Sequence, residues 1–357
     1  MKINLEKPED IRKLDENNCL ISIKNFGLQF KSAWTETEKL SLPVSRFKRV
    51  LFCGMGGSAY AGRLIKELFL DESAVSFEVI DDYRLPKYAD SETLVMAVSY
   101  SGNTEETIAC LKQAFIRKIP VIGVSSGGSL AEICRESNLP FFVFKDTLNP
   151  SEQPRLGQGY LIGAQLAVLN RLGLITISQE EVSRMLAFLD LQNGLYSETS
   201  GIAQNPAKQL AAGLERHIPV IVAAEFLKGA MQAIRNPINE TGKHFAVYFP
   251  LPEANHHLLE GLKFPEGLKS QLKFIFVDSS HYSDKIKLRL KLTAEVAAKN
   301  DLTSEMIELK SASRFSQTME LLQLFSFLSF YLAVVHGVNP APVPWVDFFK
   351  QKLLTRS

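Results

Sequence analysis

With 357 residues, 40 Lys+Arg against 39 Asp+Glu and a formal charge of +1, the chain lacks the cationic surplus that a nucleic-acid partner demands. Its 46% hydrophobic content excludes long intrinsic disorder, and at roughly 150 residues per domain the length points to two domains. Residues 1–18 are charged and carry no apolar stretch of the signal-peptide kind. The longest charge-free apolar run, 321–335, is shorter than the ~20 residues of a membrane span. It also contains Gln323, Ser326 and Ser329, so a buried helix is expected and no membrane partner. Cys19, Cys53, Cys110 and Cys134 show no CxxC spacing, which fits reduced thiols in a cytoplasmic protein.

In chain order, residues 1–45 read as a polar, mostly helical leader. A first unit, 46–175, alternates strands and helices. Strands are expected at 50–53, 76–80, 93–98, 121–124 and 141–144, with helices after the first glycine turn to about 69, at 104–117, from about 129, and at 157–172. The run 93–98 is continuous enough to be buried on both faces. Residues 176–205 are more polar and read as a helical connector. The pattern restarts over 206–340, with strands at 219–222, 245–248, 274–277 and 306–309 and helices near 226–235, 284–298 and 314–335. The last segment, 341–357, holds an amphipathic helix. Strands alternating with amphipathic helices predict an α/β protein with doubly wound parallel sheets in two units of similar plan. After its first strand the second unit has Ala223-Ala224-Glu225-Phe226 in place of a glycine turn, so only the first unit is expected to cradle a phosphate.

That cradle begins with Gly54-Met55-Gly56-Gly57-Ser58 between a strand and a helix. Glycines there let a ligand approach the backbone, and the N–H groups of the helix start favour an anion. Two other readings compete. The glycines can serve only a tight turn, or, as Gly54-x-Gly56-x-x-Ala59 with Asp81 ending the second strand, they match a relaxed dinucleotide fingerprint. The next loop, Ser99-Tyr100-Ser101-Gly102-Asn103-Thr104, offers three hydroxyls beside a helix start. A helix cap needs one hydroxyl; three suit a phosphate monoester, whose oxygens take several donors. Ser125-Ser126-Gly127-Gly128-Ser129 ends the fourth strand with a further polar turn.

In combination the first two loops resemble the sugar isomerase (SIS) domain superfamily, which implies five-stranded parallel sheets in three-layer α/β/α domains, with Gly56, Gly57, Ser58, Ser99, Ser101 and Thr104 binding a sugar phosphate. Further on, Gln153-Pro154-Arg155-Leu156-Gly157, Arg235-Asn236-Pro237-Ile238-Asn239-Glu240, Leu251-Pro252-Glu253-Ala254-Asn255-His256 and Val346-Asp347-Phe348-Phe349-Lys350 resemble the bifunctional phosphoglucose/phosphomannose isomerase family. That resemblance implies a cofactor-independent aldose–ketose isomerase acting on fructose, glucose and mannose 6-phosphates, with no metal and with a site shared across a homodimer.

Moving a proton between C1 and C2 through an enediolate needs a base, a fixed cation for the oxyanion, a ring-opening group and a phosphate anchor. The family's catalytic glutamate falls on Glu240, whose alternative is a solvated glutamate near a helix end. Its ring-opening histidine falls on His256, reaching the site from the other subunit, with His257 as the runner-up because the family often has Asn there. Arg155 is the candidate cation for the enediolate and a surface ion pair its alternative; Lys350 matches the family's lysine on the last helix. Two positions depart from the family: Ala341 stands where a small threonine is tied to use of both epimers, and Gly242 where alanine is common. A non-catalytic sugar-phosphate sensor and a nicotinamide-dependent dehydrogenase are the competing functions.

Overall fold

The computed structural model describes residues 4–43 and 46–355, with Leu354 as backbone only; the parts of the leader and last segment at 1–3, 44–45 and 356–357 lie outside the described residues. The leader forms α1 (Pro8–Leu14), α2 (Cys19–Lys24) and α3 (Phe26–Glu36). It is helical, as expected, but not polar: Ile11, Leu20, Ile23, Phe26, Phe30 and Trp34 are buried. Gln29 ties it down, donating from Nε2 to the carbonyls of Ser22, Leu148 and Leu156 at 3.0–3.1 Å. Composition alone hid this, because the charged positions between those apolar residues face outward.

The first sheet comprises β1 (Arg49–Cys53), β2 (Ser76–Ile80), β3 (Thr93–Val98), β4 (Val121–Ser125) and β5 (Phe141–Val143), all parallel, in the order β2-β1-β3-β4-β5. Helices α4 (Gly57–Leu68), α5 (Glu105–Ile116), α6 (Gly128–Glu136) and α7 (Gln158–Arg171) cover it. Every residue of β3 is buried, which is why it reads as an uninterrupted apolar run with no alternation.

Helices α8 (Gln179–Leu195) and α9 (Pro206–Leu214) lead to a second sheet of β6 (Ile218–Ala224), β7 (Val247–Leu251), β8 (Leu272–Asp278) and β9 (Thr303–Glu308), parallel in the order β7-β6-β8-β9. This repeats the start of the first order, with β6 in the place of β1. Among the described residues it has four strands, one fewer than the resemblance implied, because the chain after β9 enters a long helix directly. The remaining helices are α10 (Met231–Glu240), α11 (Leu268–Gln271), α12 (Asp284–Lys299), α13 (Arg314–Val335) and α14 (Pro344–Leu354). α13 is long and apolar enough to cross a membrane, yet 89% of its most apolar stretch is buried inside the protein, so it serves as a core helix.

Two boundaries moved in ways that matter for the site. The strand expected at 245–248 begins at Val247 because Phe245 is exposed. The helix expected to stop near 235 continues past Pro237 to Glu240. Pro237 removes one helical donor, but the N–H groups of Thr241 and Gly242 both reach its carbonyl, at 2.8 and 3.0 Å. Glu240 is therefore the last residue of a helix rather than a loop residue.

Candidate active site

Three loops meet at the carboxyl ends of β1, β3 and β4, where open α/β sheets bind ligands. Gly102 has φ +73°, and a Cβ there would lie 1.8 Å from the Gly127 carbonyl oxygen, so only glycine lets the second and third loops touch. Ser58 Oγ accepts from the Tyr100 N–H at 3.2 Å, joining the first loop to the second. Ser99 is fully buried; its Oγ accepts from the Gly102 N–H at 3.0 Å and shares a hydrogen bond with Thr104 Oγ1 at 2.8 Å. Ser101 is exposed at the loop tip, where its Oγ accepts from the Asn103 N–H. The backbone N–H groups of Gly56, Gly57, Ser101 and Thr104 have no acceptor among the described residues. They cluster at the N-termini of α4 and α5, an arrangement that favours an anion.

A chain of hydrogen bonds runs from these loops to Arg155. Asn149 Nδ2 donates to the Tyr100 hydroxyl (2.8 Å) and to the Gln153 carbonyl (2.9 Å), and Gln153 Oε1 accepts from Arg155 Nη1 (2.7 Å). Arg155 is buried and locked: Nε donates to Thr241 Oγ1 at 3.0 Å, and Nη2 to the carbonyls of Pro340 and Ala341 at 2.9 and 2.6 Å. These contacts engage four of the guanidinium's five N–H groups, leaving its charge and one donor for a ligand. The surface ion pair weighed as its alternative is not what the structure shows.

Glu240 sits beside this guanidinium. Burial raises its carboxyl above the ordinary range, while Arg155, Lys350 and Lys243 oppose the rise. A carboxylate so placed is a better base than a solvated one at neutral pH. Lys350 on α14 thus joins the group, although its side chain is exposed. His256 does not join it: it lies on an exposed turn after β7, without a side-chain hydrogen bond among the described residues. His257 Nε2 pairs with Glu253 Oε2 at 2.7 Å.

Two residues at the site do not figure among the candidates read from the sequence. Lys243 donates from Nζ to the carbonyls of Glu240 and Pro340, both at 2.7 Å. Burial, and then Arg155, push its pKa down to about 8. Cys19, from the leader, is buried against the same cations; burial and Asp15 push its thiol up to about 12. A lysine three residues after Glu240 was the one available signal for Lys243. Cys19 offered none, since the cations near it, Arg155 and Lys243, come from beyond residue 150. Asp81, the acid of the dinucleotide reading, pairs with Arg63 on α4 at 2.5 Å and is claimed by the protein itself.

Among known families, residues 44–145 match the SIS domain, and residues 203–353 match the bacterial phospho-glucose isomerase C-terminal SIS domain. A bifunctional phosphoglucose/phosphomannose isomerase of Caldicellulosiruptor bescii is 28% identical over 93% of this chain and 98% of its own length. One of Aquifex aeolicus is 27% identical over 89% and 94%. The chain carries two SIS domains and is similar over nearly its whole length to bifunctional phosphoglucose/phosphomannose isomerases. In fold, a crystal structure of a hypothetical protein from Thermus thermophilus superposes with a TM-score of 0.72 at 18% identity, covering 98% of this chain and 93% of that one. At Gly242, where the resemblance would often place alanine, the packing favours glycine. A Cβ there would lie 2.7 Å from the Ile238 carbonyl oxygen and 3.1 Å from that of Ser329 on α13. At Ala341 the side chain is small and the carbonyl is taken by Arg155.

Proposed function

We propose that the protein interconverts fructose 6-phosphate with glucose 6-phosphate and mannose 6-phosphate through a cis-enediolate. The phosphate is held by the backbone N–H groups of Gly56 and Gly57 and by Ser101, on loops kept in shape by Ser58, Ser99 and Thr104. Glu240 removes the C2 proton and returns it to C1. Arg155 stabilises the enediolate as a fixed cation, with one N–H to offer. His256 and Lys350 pass the proton between ring oxygen and O1 during ring opening. The observation that carries this reading is the half-buried Glu240 carboxylate, its pKa raised, set among three cations, one of which, Arg155, is linked by hydrogen bonds to the anion-binding loops. A coupled assay of purified protein with each of the three hexose 6-phosphates, in the presence of EDTA, tests it. Interconversion of all three is expected; phosphosugar binding without turnover would favour the sensor.

We also infer a homodimer in which His256 serves the partner's site. Two features support this: His256 stands apart from Glu240 in its own chain, and α14 exposes Trp345, Phe348 and Phe349 beside Lys350. Sedimentation measures the assembly. Mixing inactive Glu240→Gln and His256→Ala proteins should restore activity, because some mixed dimers carry one intact site; no recovery on mixing would place the histidine in its own chain's site.

A further inference from the structure

The seam between the two units holds a second cationic space that the reaction above does not use. α4 starts at the first glycine turn, and α10 ends at Glu240. The two helices run past each other, since Gly229, just before α10, abuts the Arg63 carbonyl, whereas Tyr60, one turn nearer the site, lies close to Asn236 and feels the charge of Glu240. Below that contact lies a cleft of about 190 Å³ lined by Arg63, Lys66, Glu67, Lys228, Gln232 and Tyr248.

Its donors outnumber its acceptors. Arg63 Nη2 is paired with Asp81 and Lys228 Nζ with Glu67 at 2.9 Å, but Arg63 Nε is buried without any partner. Lys66, Gln232 and the Tyr248 hydroxyl make no side-chain hydrogen bond among the described residues. Glu67 is the one carboxylate in the lining, and Lys228 already engages it. A guanidinium edge, two ammonium groups and two neutral donors around a concave space are the groups that recognise a phosphate dianion.

We propose that this cleft is a second anion site, taking inorganic phosphate or a small phosphate monoester that bridges α4 and α10. It is not the substrate-phosphate site. Six residues separate Gly57 from Arg63, about 9 Å along the helix, and eight separate Gln232 from Glu240, about 12 Å. An occupant therefore ties together the helix that opens at the phosphate loop and the helix that carries the base.

Isothermal titration of the full chain at fixed ionic strength, once with inorganic phosphate and once with glycerol 3-phosphate, tests this. Two anions per chain are expected. Lys66→Glu with Lys228→Gln weakens one of them by about tenfold or more and leaves the hexose 6-phosphate KM, measured without added phosphate, within about twofold. Ser101→Ala with Thr104→Val weakens the other and spares this one. Gln232→Glu breaks no ion pair, so the fold is not at stake, and it should reproduce the loss by placing a carboxylate in the cleft. Tighter binding of glycerol 3-phosphate assigns a monoester as the ligand, and equal binding assigns phosphate itself. One anion per chain, or two whose affinities ignore both the double variant and Gln232→Glu, overturns the proposal.

Discussion

The two sheets share a strand order but treat the crevice at their carboxyl ends in opposite ways. In the first, the loops after β1 and β3 leave N–H groups of Gly56, Gly57, Ser101 and Thr104 unclaimed among the described residues. In the second, the matching space is filled by the protein. Glu225, at φ +44°, places its carboxylate against the start of α12, accepting from Ser283 Oγ at 2.6 Å and from the Ser283 N–H at 3.2 Å. The Tyr282 hydroxyl accepts from the Ala224 N–H at 3.0 Å, and Ser279 Oγ donates to Gln317 at 2.5 Å. A side-chain carboxylate thus stands where the first unit would hold a ligand's phosphate. With its crevice closed, the second unit contributes instead the end of α10, with Glu240 and Lys243. On the function proposed here, one unit of the pair binds and the other moves protons.

That division can be broken most sharply at Glu240. Glu240→Gln should lower turnover by about 10²–10⁴-fold while titration still shows phosphosugar binding, because the loops of the first unit are untouched. Loss of binding together with turnover would mean the two units do not divide the work. Arg155→Lys comes next. Removing a preorganised oxyanion donor typically costs about 10²–10³-fold in kcat. Lysine keeps the charge but cannot reproduce the contacts to Thr241, Pro340 and Ala341. Wild-type kcat in this variant would remove Arg155 from the oxyanion role.

Ser101→Ala probes the binding half. Loss of a charge-assisted hydrogen bond should raise KM by the equivalent of about 1–3 kcal/mol with kcat nearly kept, the reverse of the Glu240 signature. Lys243 gives a pH test of the proton-moving half. As pH rises through the raised pKa of Glu240 the base ionises and kcat/KM climbs. As pH passes about 8, Lys243 loses the charge it holds beside Arg155, Glu240 and Cys19, and kcat/KM falls. Lys243→Met should abolish that falling limb and leave the rising one, read from kcat/KM against pH; a limb near 8 that persists would belong to another group.

Much of this architecture is legible in the sequence. Strands buried on both faces, such as β3, announce themselves as apolar runs, and the loop 99–104 carries its chemistry as a string of adjacent residues. The hidden parts are those where distant segments meet. The Arg155 guanidinium is fixed by carbonyls at Pro340 and Ala341, 185 and 186 residues away, and backbone carbonyls leave no mark on residue identity. Cys19 reaches the site because the leader packs under α7, which its charged composition disguised. Lys243 reads as one surface lysine among many, because its two partners are again backbone carbonyls.

The smallest effect tests the second sheet's own filling. Glu225 works as a fixed cap on α12, so Glu225→Ala should cost about 1 kcal/mol, in the range of a lost helix cap, and lower Tm by a few degrees in calorimetry. Hexose 6-phosphate KM and kcat should not move, because that crevice lies outside the proposed substrate site. A changed KM would mean that the filled crevice communicates with the open one, and the two units would have to be treated as one binding surface. Unchanged kinetics with the expected loss of stability would leave Glu225 as a structural substitute for an anion that this half of the molecule no longer binds.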